Sequence, residues 1–126
     1  MKTSKTDVLE NETVIHWVVE TQENALYVMA FCCGGLAATG SLDGRYATTF
    51  PYDNNELAAM FPSIKVRRGV NFVVDGKYIT SVGGHPSHES ALYLVERVYS
   101  KKLSRKIAKG MVMEWNLSKV KYFEKR

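Results

Sequence analysis

One abrupt change of character constrains this chain more than anything else in it. Residues 25–31 read ALYVMAF, a nearly continuous apolar run without alternation, and the run stops at Cys32-Cys33-Gly34-Gly35. A run this short cannot sustain an independent helix. An unbroken apolar stretch of that length fits a strand buried on both faces, as in a parallel sheet. Gly34 and Gly35 then allow a tight turn, and residues 36–39 form a short helical segment closed by Gly40. The order strand, sharp turn, helix holds a side chain out at the C-terminal end of a parallel strand, where open α/β sheets bind ligands. The helix start adds positive potential and N–H groups, an environment that activates a thiol and can hold an oxyanion. The same residues also fit a plainer role, as two small hydrophobes at the end of a core strand. The pattern alone does not choose between them.

The rest of the sequence supplies the other parts of an α/β unit. Asp7, Glu10 and Asn11 offer N-caps to a short amphipathic helix carrying Val14, Ile15, Val18 and Val19 and ending near Thr21. Past Asp43-Gly44, residues 45–50 form a short strand ended by Pro51, and Asn54 or Asn55 caps a helix over 56–61 stopped by Pro62. Residues 64–74 and 78–82 flank Asp75-Gly76, a strong hairpin signal. After Gly83-Gly84-His85-Pro86, Ser87 can cap a helix in which Ala91, Leu92, Val95, Val98 and Tyr99 make one apolar stripe. A second stripe of Leu103, Ile107 and Met111, with Ala108, Val112 and Trp115 beside it, follows a break near Ser100. No repeat or linker interrupts this series, and 126 residues suit one domain and are too few for two.

Composition excludes several classes. Apolar residues at 45% and charged residues at 24% are globular proportions. The longest apolar stretch, residues 25–36, contains two cysteines and two glycines. It falls well short of the roughly 20 residues that span a bilayer, so no membrane partner is expected. The first dozen residues are polar and acidic, where a signal peptide would need an apolar core. The only two cysteines are adjacent, which rules out a disulfide scaffold and points to a reducing cytoplasm. The formal charge of +4 is unevenly placed: residues 97–126 carry 10 Lys/Arg against 2 Asp/Glu, and residues 1–96 carry 7 against 11. We read the surplus as a solvated basic helix and a basic C-terminal tail over 114–126. Without interleaved aromatic residues it gives no reason to expect nucleic acid. The sequence has no GxGxxG, no GxxxxGK[ST], no HExxH and no GxSxG.

Four segments in order, YVMAFCCGG, LDGRYATTFP, FVVDGKYITSVGG and SALYLVERVY, resemble the C-terminal part of the DJ-1/PfpI family, also called ThiJ-like, of the class I glutamine-amidotransferase-like superfamily. The likeness runs from about residue 8 to residue 113. It implies a flavodoxin-like three-layer α/β sandwich with a mostly parallel sheet, a nucleophilic cysteine and frequent homodimers. By position it makes Cys32 the elbow nucleophile, the backbone of Cys33 part of an oxyanion site, and Gly34, with Gly35 beside it, the elbow turn. Three departures follow. Phe50 stands where the family usually has histidine after Ala-Thr-Thr, and the stretch from Cys32 to Gly40 is short for an elbow helix. The family's first βα units, which supply an acidic residue and a glycine loop to the site, have no counterpart here. The chain therefore reads as a single, N-terminally incomplete domain, expected to self-associate or to need a missing segment.

Of the histidines, His16 sits in the first helix among Ile15, Trp17 and Val18 and needs no special role. His85 and His88 follow a strand that in this family ends beside the elbow. His85 is the better substitute for the absent imidazole, as general base or as the thiolate's ion-pair partner, because His88 falls inside the next helix. Two histidines and a distant thiol do not make a zinc site, and no cofactor or metal is expected. Asp75 belongs to a turn, and Glu89 and Glu96 to the polar side of a helix. The resemblance thus implies either a glyoxalase-, deglycase- or hydrolase-type enzyme acting on small electrophilic carbonyls, or a non-enzymatic redox sensor or stress-response protein using the same Cys32.

Overall fold

The structure is a computed structural model that describes residues 11–126; the capping expected at Asp7 and Glu10 lies outside the described residues. Helix α1, Glu12–Gln22, starts where the Asn11 side chain accepts the Val14 N–H at 3.2 Å, so an N-cap satisfies a donor the helix cannot. Strand β1, Val28–Phe31, leads into the one-turn helix α2, Gly34–Ala37. Strand β2, Tyr46–Ala47, is followed by a 3₁₀ turn at Pro51–Asp53, helix α3, Asn54–Met60, and strand β3, Lys65–Val66. Strands β4, Phe72–Asp75, and β5, Tyr78–Ser81, form the hairpin expected at Asp75-Gly76, with Gly76 at φ 61°. Residues 64–66, expected to continue into that hairpin, instead end as β3, paired with β2. Helices α4, Pro86–Val98, and α5, Lys101–Gly110, then a 3₁₀ turn at Leu117–Lys119 and strand β6, Phe123–Glu124, complete the chain.

The central sheet has the order β1-β5-β4-β6, with β1/β5 and β4/β6 parallel and only the hairpin antiparallel. Side chains leave a strand on alternate faces, and the two faces carry two cores. Val28, Ala30 and Tyr78 face one core with Leu36, Leu42, Ala47, Leu57 and Ile64. Met29, Ile79, Phe72 and Val74 face the other, with Leu92, Tyr93, Ala108 and Trp115. Helices and the β2/β3 pair thus sandwich a mostly parallel sheet, the architecture the sequence leads one to expect.

Several local expectations are corrected. β1 is half-buried, not buried on both faces, because β5 pairs with one edge and, among the described residues, no strand pairs with the other. Ser87 does not cap α4. Pro86 takes the first helical position, where its missing N–H is harmless, and the N-cap falls on His85, whose side chain makes no cap hydrogen bond. The stripe on α4 leaves the core at Val98 and Tyr99, 49% and 74% exposed, because a helix of 13 residues, about 20 Å, outruns strands of four, about 13 Å. On α5 the buried residues are Ser104 and Ala108, while Ile107, Met111 and Val112 are exposed. The small pair lets the helices close, and Ser104 Oγ donates to the Leu92 carbonyl at 2.8 Å. Residues 114–126 are part of the fold and not a tail: Trp115 is buried, Tyr122 stacks on Phe72 at 4.9 Å, and β6 extends the sheet.

Candidate functional site

The sheet register builds the site. β1 runs parallel to β5 with Phe31 opposite Ser81, so both strands end together, and the Cys32 N–H donates to the Ser81 carbonyl at 3.2 Å. Tyr46 N–H donates to Asp75 Oδ2 at 2.8 Å and Thr48 N–H to Thr80 Oγ1 at 3.0 Å. That register carries the chain after β2 toward the same end as Val82. Three segments, 31–35, 48–50 and 81–85, converge there.

Cys32 lies at φ 72°, the left-handed region that a residue with a Cβ enters only under constraint. Its thiol is exposed, and Sγ lies 4.0 Å from the Val82 carbonyl oxygen. A Cβ on Gly83 would stand 2.9 Å from that sulfur, and Gly83 itself has φ 86°. Glycine at 83 is therefore required twice, by its backbone and by the thiol against it. Cys33 occupies the N-cap of α2 with its side chain wholly buried among Leu36, Ala37 and Leu57. Cys33 is thus buried in the core, and Cys32 is exposed.

The turn falls at Cys32, whereas Gly34 and Gly35 are the first residues of α2. A Cβ at Gly35 would meet nothing within 4 Å, whereas one at Gly83 would meet the Cys32 sulfur. His85 is exposed, two residues beyond Gly83, and its ring neighbours His88 at 6.1 Å between centroids. No hydrogen bond joins it to Cys32, whose sulfur has the Val82 carbonyl as its polar neighbour. Phe50 is 42% exposed and packs against Tyr52 at 5.4 Å. His16 pairs with Glu20 at 3.1 Å on the outside of α1. Among the described residues no three His, Cys, Asp or Glu side chains gather to hold a metal, and no helix is long and apolar enough to cross a membrane.

Sequence reasoning missed Gly83 and the Val82 carbonyl. The only trace was the Gly83-Gly84 pair, which reads as an ordinary loop until β1 and β5 are known to be neighbours.

No family model matches the sequence. Among curated proteins the chain is similar to Protein DJ-1 homolog B of Arabidopsis thaliana, 31% identical over 90 residues that make up 69% of this chain and 20% of that protein. Among solved structures it is similar to DJ-1beta of Drosophila melanogaster, with a TM-score of 0.72 and 24% identity over 88% of this chain and 59% of that one. A DJ-1 superfamily protein from Salmonella typhimurium gives a TM-score of 0.70 and 21% identity over 88% and 60% of the two chains. The chain therefore spans a fifth of the curated relative and about three fifths of these structures.

Proposed function

We propose that the chain is a DJ-1 superfamily protein, a reading supported by its likeness to Protein DJ-1 homolog B and to the DJ-1beta fold, and that it acts through Cys32 as a cysteine nucleophile toward small electrophilic carbonyls. The observation that carries this reading is the backbone of Cys32: an exposed thiol on a non-glycine residue at φ 72°. Strain of this kind persists where the surrounding structure enforces it, and it concentrates at functional sites. In the reaction the sulfur forms a C–S bond to the carbonyl carbon as the C=O π pair moves to oxygen. The Cys33 backbone is the donor assigned to that oxyanion, and His85 carries the thiol proton to it. No hydrogen bond joins His85 to the thiol, whose polar neighbour is the Val82 carbonyl, so this transfer requires the His85 side chain to move toward Cys32.

Incubation with methylglyoxal tests the reading. Wild type is expected to consume it, Cys32→Ser to abolish turnover, and His85→Ala to lower it by about 10²-fold or more. Turnover surviving Cys32→Ser overturns the assignment. Alkylation by iodoacetamide at pH 7 is expected to label Cys32 faster than free cysteine and to spare buried Cys33.

A second reading has its own observation: no hydrogen bond joins an imidazole to the Cys32 thiol, and by the resemblance Phe50 stands where the family usually has histidine. Peroxide sensing needs a thiolate but no proton shuttle. Cys32 attacks one peroxide oxygen, the O–O bond breaks, and sulfenic acid and hydroxide result. Mild hydrogen peroxide should then add one oxygen to Cys32 in wild type and His85→Ala alike. The same overall reading places the protein in a reducing compartment such as the cytoplasm, and expects copies of the chain to associate.

A further inference from the structure

We propose that the chain has a second site, at the end of the sheet opposite Cys32, for a small phosphate-bearing anion. Tyr27 precedes β1 and Gly76 tops the β4/β5 hairpin, whereas Cys32 follows the far end of β1. Between that hairpin tip, the last turns of α4 and the end of β6 lies an open cavity of about 470 Å³, a size that takes a small organic ligand. Three cations line it: Arg97 from α4, and Lys125 and Arg126 after β6. Among the described residues none of the three forms an ion pair.

Unpaired cations are ordinary on open surfaces; here the nearby acids are engaged elsewhere. Glu124, the carboxylate in the lining, accepts the hydroxyl of Tyr93, which is 2% exposed. Glu96, next to Arg97, accepts Trp115 Nε1 at 2.7 Å, and Asp75 holds Tyr46 N–H and Arg45. Among the lining residues three cations stand against one carboxylate, Glu124. The frame is fixed as well, because Lys125 N–H donates to the Val74 carbonyl at 2.9 Å and Glu124 pairs with Val74 in the sheet. Two guanidinium groups offer the paired donors that suit phosphate oxygens. The Tyr27 ring, 40% exposed, gives an apolar wall for the ester portion.

Amide NMR titration of the full chain with inorganic phosphate and with glycerol 3-phosphate, at constant ionic strength, tests this. Saturable shifts are expected at Gly76, Arg97 and residues 124–126. Arg97→Gln should weaken binding about tenfold. Glu124→Gln should tighten it about threefold, because it removes an opposing charge and keeps an acceptor for Tyr93. Lys102→Gln, on the outer face of α5, should change nothing. Shifts that do not saturate, equal shifts along α5, or a Glu124→Gln variant that binds no better would each overturn the proposal. Equal shifts along α5 would show a diffuse polyanion surface instead.

Discussion

At Cys32 the backbone takes a conformation that costs a residue with a Cβ about 1–2 kcal/mol. The parallel pairing of β1 with β5 and the hydrogen bond to Ser81 hold it there. Removing the Cβ should release that strain even though it also removes the thiol. Cys32→Gly is therefore expected to be more stable than Cys32→Ala by about 1 kcal/mol in urea unfolding, a gain in stability bought with the reactive group. Equal stabilities for the two variants would mean that the turn is not strained. Gly83→Ala is the complement. It places a methyl group 2.9 Å from Sγ at a φ of 86°, so the expected result is loss of about 1–2 kcal/mol and slower alkylation of Cys32.

At the scale of elements, one polar contact ties β6 to α4. Tyr93 on α4 donates to Glu124, and burial, followed by the hydrogen bond and charge of Glu124, raises the Tyr93 pKa above the ordinary tyrosine value. The folded state thus holds this proton more tightly than the unfolded chain. Its contribution is complete below pH 10 and disappears as pH rises from there through the higher folded value. Urea midpoints from pH 8.5 to 11 should fall for wild type and fall less steeply for Tyr93→Phe, which starts about 1 kcal/mol lower at pH 8.5. Tyr122, raised the same way by burial, keeps part of the slope in the variant. Identical slopes would remove Tyr93 from the account. What the sequence revealed also divides at this scale. The hairpin at Asp75-Gly76, α1 and the strand-turn-helix around Cys32 were legible because each is encoded within a dozen residues. Strand β6 was not, since Phe123–Glu124 is too short to alternate and its flanking lysines mimic a tail. The Gly83 contact was not either, because it follows from pairing between segments about fifty positions apart, which no local pattern records.

At the scale of the whole molecule, one edge of the sheet is open among the described residues. Beyond the unpaired edge of β1, a groove of about 480 Å³ runs between α1 and β1, lined by Val14, Trp17, Val18, Tyr27, Met29 and Leu36. Trp17 is 64% exposed and Phe31, at the end of the same strand, 51%. An unsatisfied strand edge beside an apolar patch is a template for another chain. Two copies joined there would satisfy β1's remaining backbone groups and remove both aromatic side chains from water, the combination that sheet-extending complexes use. A stable interface covers about 800 Å² per partner, so the edge alone would be too small and the groove has to take part. Sedimentation velocity between about 1 and 100 µM is expected to show association that strengthens with concentration. Trp17→Glu should shift the population to monomer, because it places a charge in the apolar groove that the second copy would cover. A wild type that remains monomeric across that range would show that the open edge is tolerated in water, and the half-burial of β1 would then be a property of the free chain.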